Sequence, residues 1–203
     1  MRVLLAFVAI LVLCSLAQPA DAFTFFPPGG NLQNLPHGSY FLWGINGTLP
    51  DGYRVASASV TFHKIYNWTH EANDRIWLHL LQGASSGVTG GYDGEAYGSW
   101  FNTPAYPHEQ ILLNDFNNLP EGFRNRADVT YDFEDSELAM LNEYLVDGNM
   151  GLGFDPDCHF YNCGVEFSGT VAPIPEPGTL LLLGLGLVGI GGVSRRWSRR
   201  DSR

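Results

Sequence analysis

The chain has 203 residues, with 21 Asp and Glu against 11 Lys and Arg, for a formal charge of −10. That length accommodates one or two domains with a sizeable hydrophobic core, and the acidic balance excludes a basic nucleic-acid-binding surface. Apolar residues and positive charges are concentrated at the two ends, so the ends are read separately from the middle.

The N-terminus carries Arg2, an unbroken apolar stretch over residues 3–13, a more polar segment at 15–19, and small residues at Ala20 and Ala22 around Asp21. This order predicts a secretory signal peptide over residues 1–22, cut before Phe23. The apolar stretch is shorter than the roughly 20 residues that a membrane-spanning helix needs, which favours export over anchoring at this end. Cys14 follows Leu13 and lies within the apolar stretch, which argues against lipidation.

Residues 23–172 form the body, predicted as one domain. Residues 23–174 hold 18 acidic and 5 basic residues, a net of −13, together with 25 of the 27 aromatic residues. Apolar and polar residues alternate at 56–63, with Ala56, Ala58, Val60 and Phe62 on one face, and again at 128–133 and 165–168. A two-residue period of this kind predicts half-buried antiparallel strands. Further strands are predicted at 40–45, 76–81 and 150–154, with turns at Pro50-Asp51-Gly52, Gly90-Gly91 and Asp147-Gly148-Asn149. Residues 136–146 break the period: Leu138, Leu141, Tyr144 and Leu145 are spaced for one short amphipathic helix that stops before Gly148. The predicted class is all-β, an antiparallel β-sandwich of jelly-roll-like form with one short helix.

Candidate sites lie within this body. Cys158 and Cys163 are the only cysteines left after signal removal, and in an oxidising compartment they are expected to form a disulfide across a tight loop. Asp155 and Asp157 flank Pro156 in an acidic domain and offer hard oxygen ligands for Ca²⁺, with Glu71, Asn73 or Asp74 to complete the set. Trp100 and Tyr97, in a Gly-rich loop, are candidates for stacking on sugar rings. His63 and His79 fall on predicted strands and are expected at the strand surface. The sequence contains neither a nucleophile elbow nor a phosphate-binding loop, and no pair of carboxylates stands out, so no catalytic residues are assigned and no cofactor beyond Ca²⁺ is suggested.

The C-terminus reads Pro175-Glu176-Pro177-Gly178-Thr179, then an uncharged Leu- and Gly-rich stretch over 180–193, then Arg195, Arg196, Arg199 and Arg200. The uncharged stretch alone is short of a membrane span, but with flanks from Pro177 to Trp197 it just reaches one; a transmembrane helix is predicted over 178–194, and the arginines of 195–203 are expected to stay cytoplasmic. This order of Pro-Glu-Pro, apolar span and terminal arginine cluster resembles the PEP-CTERM sorting signal of bacterial envelope proteins, over residues 173–203. The resemblance implies an exosortase, a membrane-embedded protease, as the partner that processes the chain near Pro175, Glu176 and Pro177. It also implies transient anchoring in the inner membrane, then a place on the cell surface or in the extracellular matrix with exopolysaccharide. The body loosely resembles the sandwich domains often found ahead of such tails, a likeness that brings no catalytic residues. The expected function is therefore a non-enzymatic exported envelope or matrix protein; the alternatives are a calcium-assisted carbohydrate-binding module and a secreted glycoside hydrolase.

Overall fold

The computed structural model describes residues 20–68, 74–94 and 98–174, together with Gly184 and Gly186. The chain divides into two compact units, residues 1–172 and 173–203. In the second unit the described residues are Pro173, Ile174 and the helical Gly184 and Gly186. Most of the predicted signal peptide (1–19), Pro175, Glu176, Pro177, nearly all of the predicted transmembrane stretch and the arginines from Arg195 and Arg196 onward lie outside the described residues. Among the described residues no helix is long and apolar enough to cross a membrane.

Among its described residues the first unit consists mostly of antiparallel β-sheet with one short α-helix, as the two-residue period predicts. The strands are β1 (Asp21–Phe25), β2 (Asn34–Leu35), β3 (Ser39–Asn46), β4 (Tyr53–Asn67), β5 (Ile76–Leu81) and β6 (Gly87–Tyr92). They continue as β7 (Gln110–Phe116), β8 (Ala127–Asp132), helix α1 (Asp135–Tyr144), β9 (Asn149–Pro156), β10 (Phe160–Tyr161) and β11 (Val165–Pro173). One sheet runs β1-β11-β4-β10-β2, with β8 also paired to β4; the other runs β6-β3-β9-β5-β7.

The two sheets share one core. From the first come Val55, Ala58, Val60, Phe62 and Ile65 of β4 with Phe160, Val165 and Phe167; from the second come Ile76, Leu78 and Leu80 of β5 with Met150, Leu152 and Phe154 of β9. Phe62 meets Phe116 and Phe154 edge to face, with ring centroids 5.6 and 5.8 Å apart. Strand β4 stays in register along its length only by accommodating an irregularity between Phe62 and Ile65. There Lys64 takes a positive φ of 51°, and its N–H donates to Asp128 Oδ1 at 2.8 Å. The extra residue keeps Phe62 and Ile65 both facing inward, although they are three positions apart.

Helix α1 begins with a reciprocal cap: Glu137 Oε2 accepts the Glu134 N–H at 2.7 Å, and Tyr131 donates to Glu137 Oε1 at 2.6 Å. Asn142 fastens the helix to β4, accepting from the Val55 N–H at 2.7 Å and donating to the Val55 carbonyl at 3.0 Å. Gly148, with φ of 78°, closes the turn that follows.

Two expectations change. The predicted turn at Gly90-Gly91 is part of β6. Its glycines serve packing instead: a Cβ on Gly91 would lie 2.6 Å from the Tyr40 hydroxyl oxygen on the neighbouring strand. The other concerns His79: all six residues of β5 are buried, because residues 99–106 fold over the outer face of the second sheet. Phe101 and Tyr106 form a small second core there with Leu81, and Tyr40, Leu42 and Trp100 pack against it. His79 is fully buried under this cover, whereas His63 lies at the surface, 3.1 Å from Glu166 and 3.6 Å from Asp128.

Candidate functional site

The outer face of β9 presents Gly151, Gly153 and Asp155, and pairing with β5 sets Gly153 beside His79 and Asp155 beside Trp77. Gly153 is what lets the covering segment approach: a Cβ there would come within 2.6 Å of the Phe101 ring. Pressed onto this face, the Ser99-Trp100-Phe101 turn gives the Trp100 N–H to Asp155 Oδ2 at 2.5 Å and sets Ser99 Oγ 2.7 Å from His79 Nε2. The other nitrogen, His79 Nδ1, is 2.6 Å from Gln110 Oε1, and Gln110 Nε2 donates to Asn102 Oδ1 at 3.0 Å. With the Gln110 oxygen facing the ring, Nδ1 carries the proton and Nε2 accepts from Ser99. A continuous chain Ser99–His79–Gln110–Asn102 thus ties the first turn of the covering segment to the sheet at two points.

Burial sets the charge states in this cluster. It lowers the His79 pKa from 6.5 to about 4, against the opposing hydrogen bond that His79 donates to Gln110, so the imidazole is neutral. It raises the Asp155 pKa from 3.8 to about 7; the Trp100 N–H pulls the other way, and the neighbouring Asp93 carboxyl, itself hydrogen-bonded to Asp155, pushes further up. Asp157 lies 3.9 Å from His37, and burial raises its pKa against the pull of His37 and Arg75.

The described residues gather no calcium-ligand set around Asp155 and Asp157, and Asp155 gives one oxygen to the Trp100 N–H. Asp74 Oδ2 accepts from Asn67 Nδ2, Glu71 and Asn73 lie outside the described residues, and among the described residues no group of three or more His, Cys, Asp or Glu is arranged to hold a metal ion.

The expected Cys158–Cys163 disulfide is not formed. Cys158 is buried in the sandwich core, its thiol donating to Asn67 Oδ1 at 3.2 Å, whereas Cys163 is exposed beyond β10. The Cys163 backbone is held where it is by its own N–H, which donates to the His63 carbonyl at 2.7 Å. With β10 intervening, one thiol sits inside the sheet and the other at the surface.

Of the two aromatic candidates, Tyr97 lies outside the described residues. Trp100 is half-buried and gives one face to Tyr40, the rings 3.6 Å apart and within 4° of parallel. Exposed aromatic surface occurs elsewhere, on the outer face of the first sheet. Tyr66 of β4 and Tyr161 of β10 are register partners with rings 5.6 Å apart; Trp68 contacts Tyr161, and Phe123 contacts Tyr66 edge-on. Trp68 and Phe123 are 61% and 60% exposed. No local pattern in the sequence marks this group, because its members come from three separate segments.

The tail supplies the comparison that identifies the chain. The chain matches no curated protein. A family model described as a PEP-CTERM protein-sorting motif matches residues 173–196, spanning the Pro-Glu-Pro, the apolar stretch and the first arginines. The chain therefore carries a PEP-CTERM protein-sorting motif, which indicates an exported protein targeted to an exosortase.

Proposed function

We propose that the chain is a non-enzymatic component of the cell envelope or extracellular matrix, freed from its tail near Pro175-Glu176-Pro177 and associated with exopolysaccharide. The observation that carries this reading is where the fold ends. Strand β11 closes at Pro173, and the sorting motif begins at the same residue, so a cut within 175–177 removes no strand from either sheet. We also read the sandwich as a jelly roll. Supporting this, the paths β1-β11-β4-β8 and β3-β9-β5-β7 place strands side by side that are far apart in sequence, as Greek-key wiring does.

The chemistry of the buried cluster favours a structural role over a catalytic one. Ser99–His79–Gln110 has the order of a nucleophile, base and orienting group, but an uncharged amide stands in the third place and Asp155 occupies the N–H beside the serine. The carboxyls of Asp93 and Asp155 are in direct hydrogen-bond contact, which leaves no room for a glycosidic bond between them.

Intact-mass spectrometry of the surface or secreted form tests the reading. The expected mass corresponds to a chain beginning at Phe23 and ending near 175–177. A mature form ending at Arg203 would overturn the processing step, and hydrolysis of the host's own polysaccharide by the purified protein would overturn the non-enzymatic reading.

A further inference from the structure

The exposed aromatic group on the first sheet lies where most of the body is short of positive charge. Residues 23–174 carry only five basic residues, Arg54, Lys64, Arg75, Arg124 and Arg126, against 18 acidic ones. Two of the five closely follow Phe123. Both Arg124 and Arg126 are exposed, and among the described residues neither is ion-paired despite the excess of acid. Arg126 is also pre-positioned: its guanidinium carbon lies 4.1 Å above the centre of the Phe123 ring. A guanidinium held flat on an aromatic face keeps its in-plane N–H groups available for a carboxylate fork.

Backbone pairing builds this juxtaposition. Asn67 N–H donates to the Pro120 carbonyl at 2.7 Å and Gly122 N–H to the Asn67 carbonyl at 2.9 Å, which brings Phe123 beside Tyr66 and sets the arginines along the edge of β4. Past the irregularity at Lys64, the same outer face of β4 continues as hydroxyl rungs, Thr61 with Thr130 at 2.8 Å and Ser57 with Thr170 at 2.7 Å. The face is therefore aromatic and cationic at one end, while along its length the hydroxyls alternate with His63 and the carboxylates of Asp128 and Glu166.

We infer that this face, through Tyr66, Trp68, Phe123 and Tyr161 with Arg124 and Arg126, binds an anionic carbohydrate chain, its sugar rings against the aromatic side chains and its carboxylates on the two guanidiniums. A net charge of −13 over the body opposes a nucleic acid, whose dense phosphates need a broad basic surface. Hydroxyl rungs suit a polyol and would be wasted against a lipid bilayer. The inference gives the exopolysaccharide association proposed above a specific surface and polymer class, and it rests on that reading only for the presence of such a polymer.

The test uses the purified processed protein in affinity electrophoresis or calorimetry with polygalacturonate and alginate as acidic probes, neutral dextran as the control, and vesicles of anionic phospholipid as a further arm. Binding to at least one acidic probe, weakened by salt and absent for dextran, is expected. R126Q and W68A should each weaken it by about tenfold, a change typical of a central contact. Both side chains are exposed, so the melting temperature of each variant should match the parent and separate lost binding from lost fold. Failure to bind either acidic probe, equal binding to dextran, unchanged affinity in both variants, or binding to the vesicles alone would overturn the inference. None of these results depends on where the tail is cut, so intact mass and polymer binding fail or succeed separately.

Discussion

Replacing Asp155 by Asn should reshape the dependence of stability on pH. In the folded chain the Asp155 carboxyl titrates near 7 instead of 3.8, so between these values the native state holds a proton that the unfolded chain releases. Stability therefore falls as pH rises through that window, by about 1.4 kcal/mol per pH unit and at most about 4 kcal/mol in total. His79 acts in the opposite sense. Its pKa drops from 6.5 to about 4, so the unfolded chain binds a proton that the native state refuses, and about 3 kcal/mol of stability is lost as pH falls from 6.5 to 4. The two slopes nearly cancel between pH 4 and 6.5 in the parent protein.

An amide at 155 keeps an oxygen for the Trp100 N–H and removes the titration. The difference between D155N and the parent should then grow in favour of the variant by about 4 kcal/mol from pH 4 to pH 8, while H79Q should lose about 3 kcal/mol relative to the parent as pH rises from 4 to 6.5 and no more above it. Urea denaturation followed by tryptophan fluorescence at half-unit pH intervals reads both curves, and titrations common to parent and variant drop out of the difference. If the D155N and parent curves run parallel within about 1 kcal/mol over this range, burial does not hold the Asp155 proton and the reasoning fails.

Three further outcomes follow from the geometry. N142L should cost about 2 to 4 kcal/mol in chemical denaturation, because both the N–H and the carbonyl of Val55 lose their partner at a half-buried contact. G153A should cost about 1 to 3 kcal/mol, since its methyl group would displace the buried Phe101 ring; an unchanged denaturation midpoint would show that the ring is not seated as described. A chain stopped after Ile174 should melt within a degree or two of the naturally processed protein, because the last strand ends at Pro173; a large drop in a calorimetric scan would place stabilising structure inside the sorting tail.

Much of this molecule is legible from contiguous residues. The alternation at Ala56, Ala58, Val60 and Phe62 gives β4 its buried face, and the spacing of Leu138, Leu141 and Tyr144 gives α1, because each period records which side of an element meets the core. The sorting motif is read just as directly, since a protease and a membrane recognise a linear order of Pro-Glu-Pro, apolar residues and arginine. The period says nothing about the second face of a strand, however. For β5 that face is covered by Phe101 and Tyr106, some twenty residues or more further on, so His79 is buried where a surface histidine was expected.

The same reason explains the sites. Cys158 and Cys163 are close in sequence, but sheet pairing through β10 puts one thiol in the core and the other outside. Asp155 and Asp157 are neighbours in sequence, but only the tertiary structure shows that the covering turn gives the Trp100 N–H to the first. The Ser99–His79–Gln110 chain and the row from Trp68 to Arg126 each draw on segments that only strand order brings together. By itself the sequence determined that the chain carries an export and sorting signal and which faces of its strands turn inward, because such signals and periodicity are local. The tertiary structure alone decided which carboxyl keeps its proton, which thiol is hidden and which aromatic side chains face solvent, because burial and neighbours from distant segments set each of these.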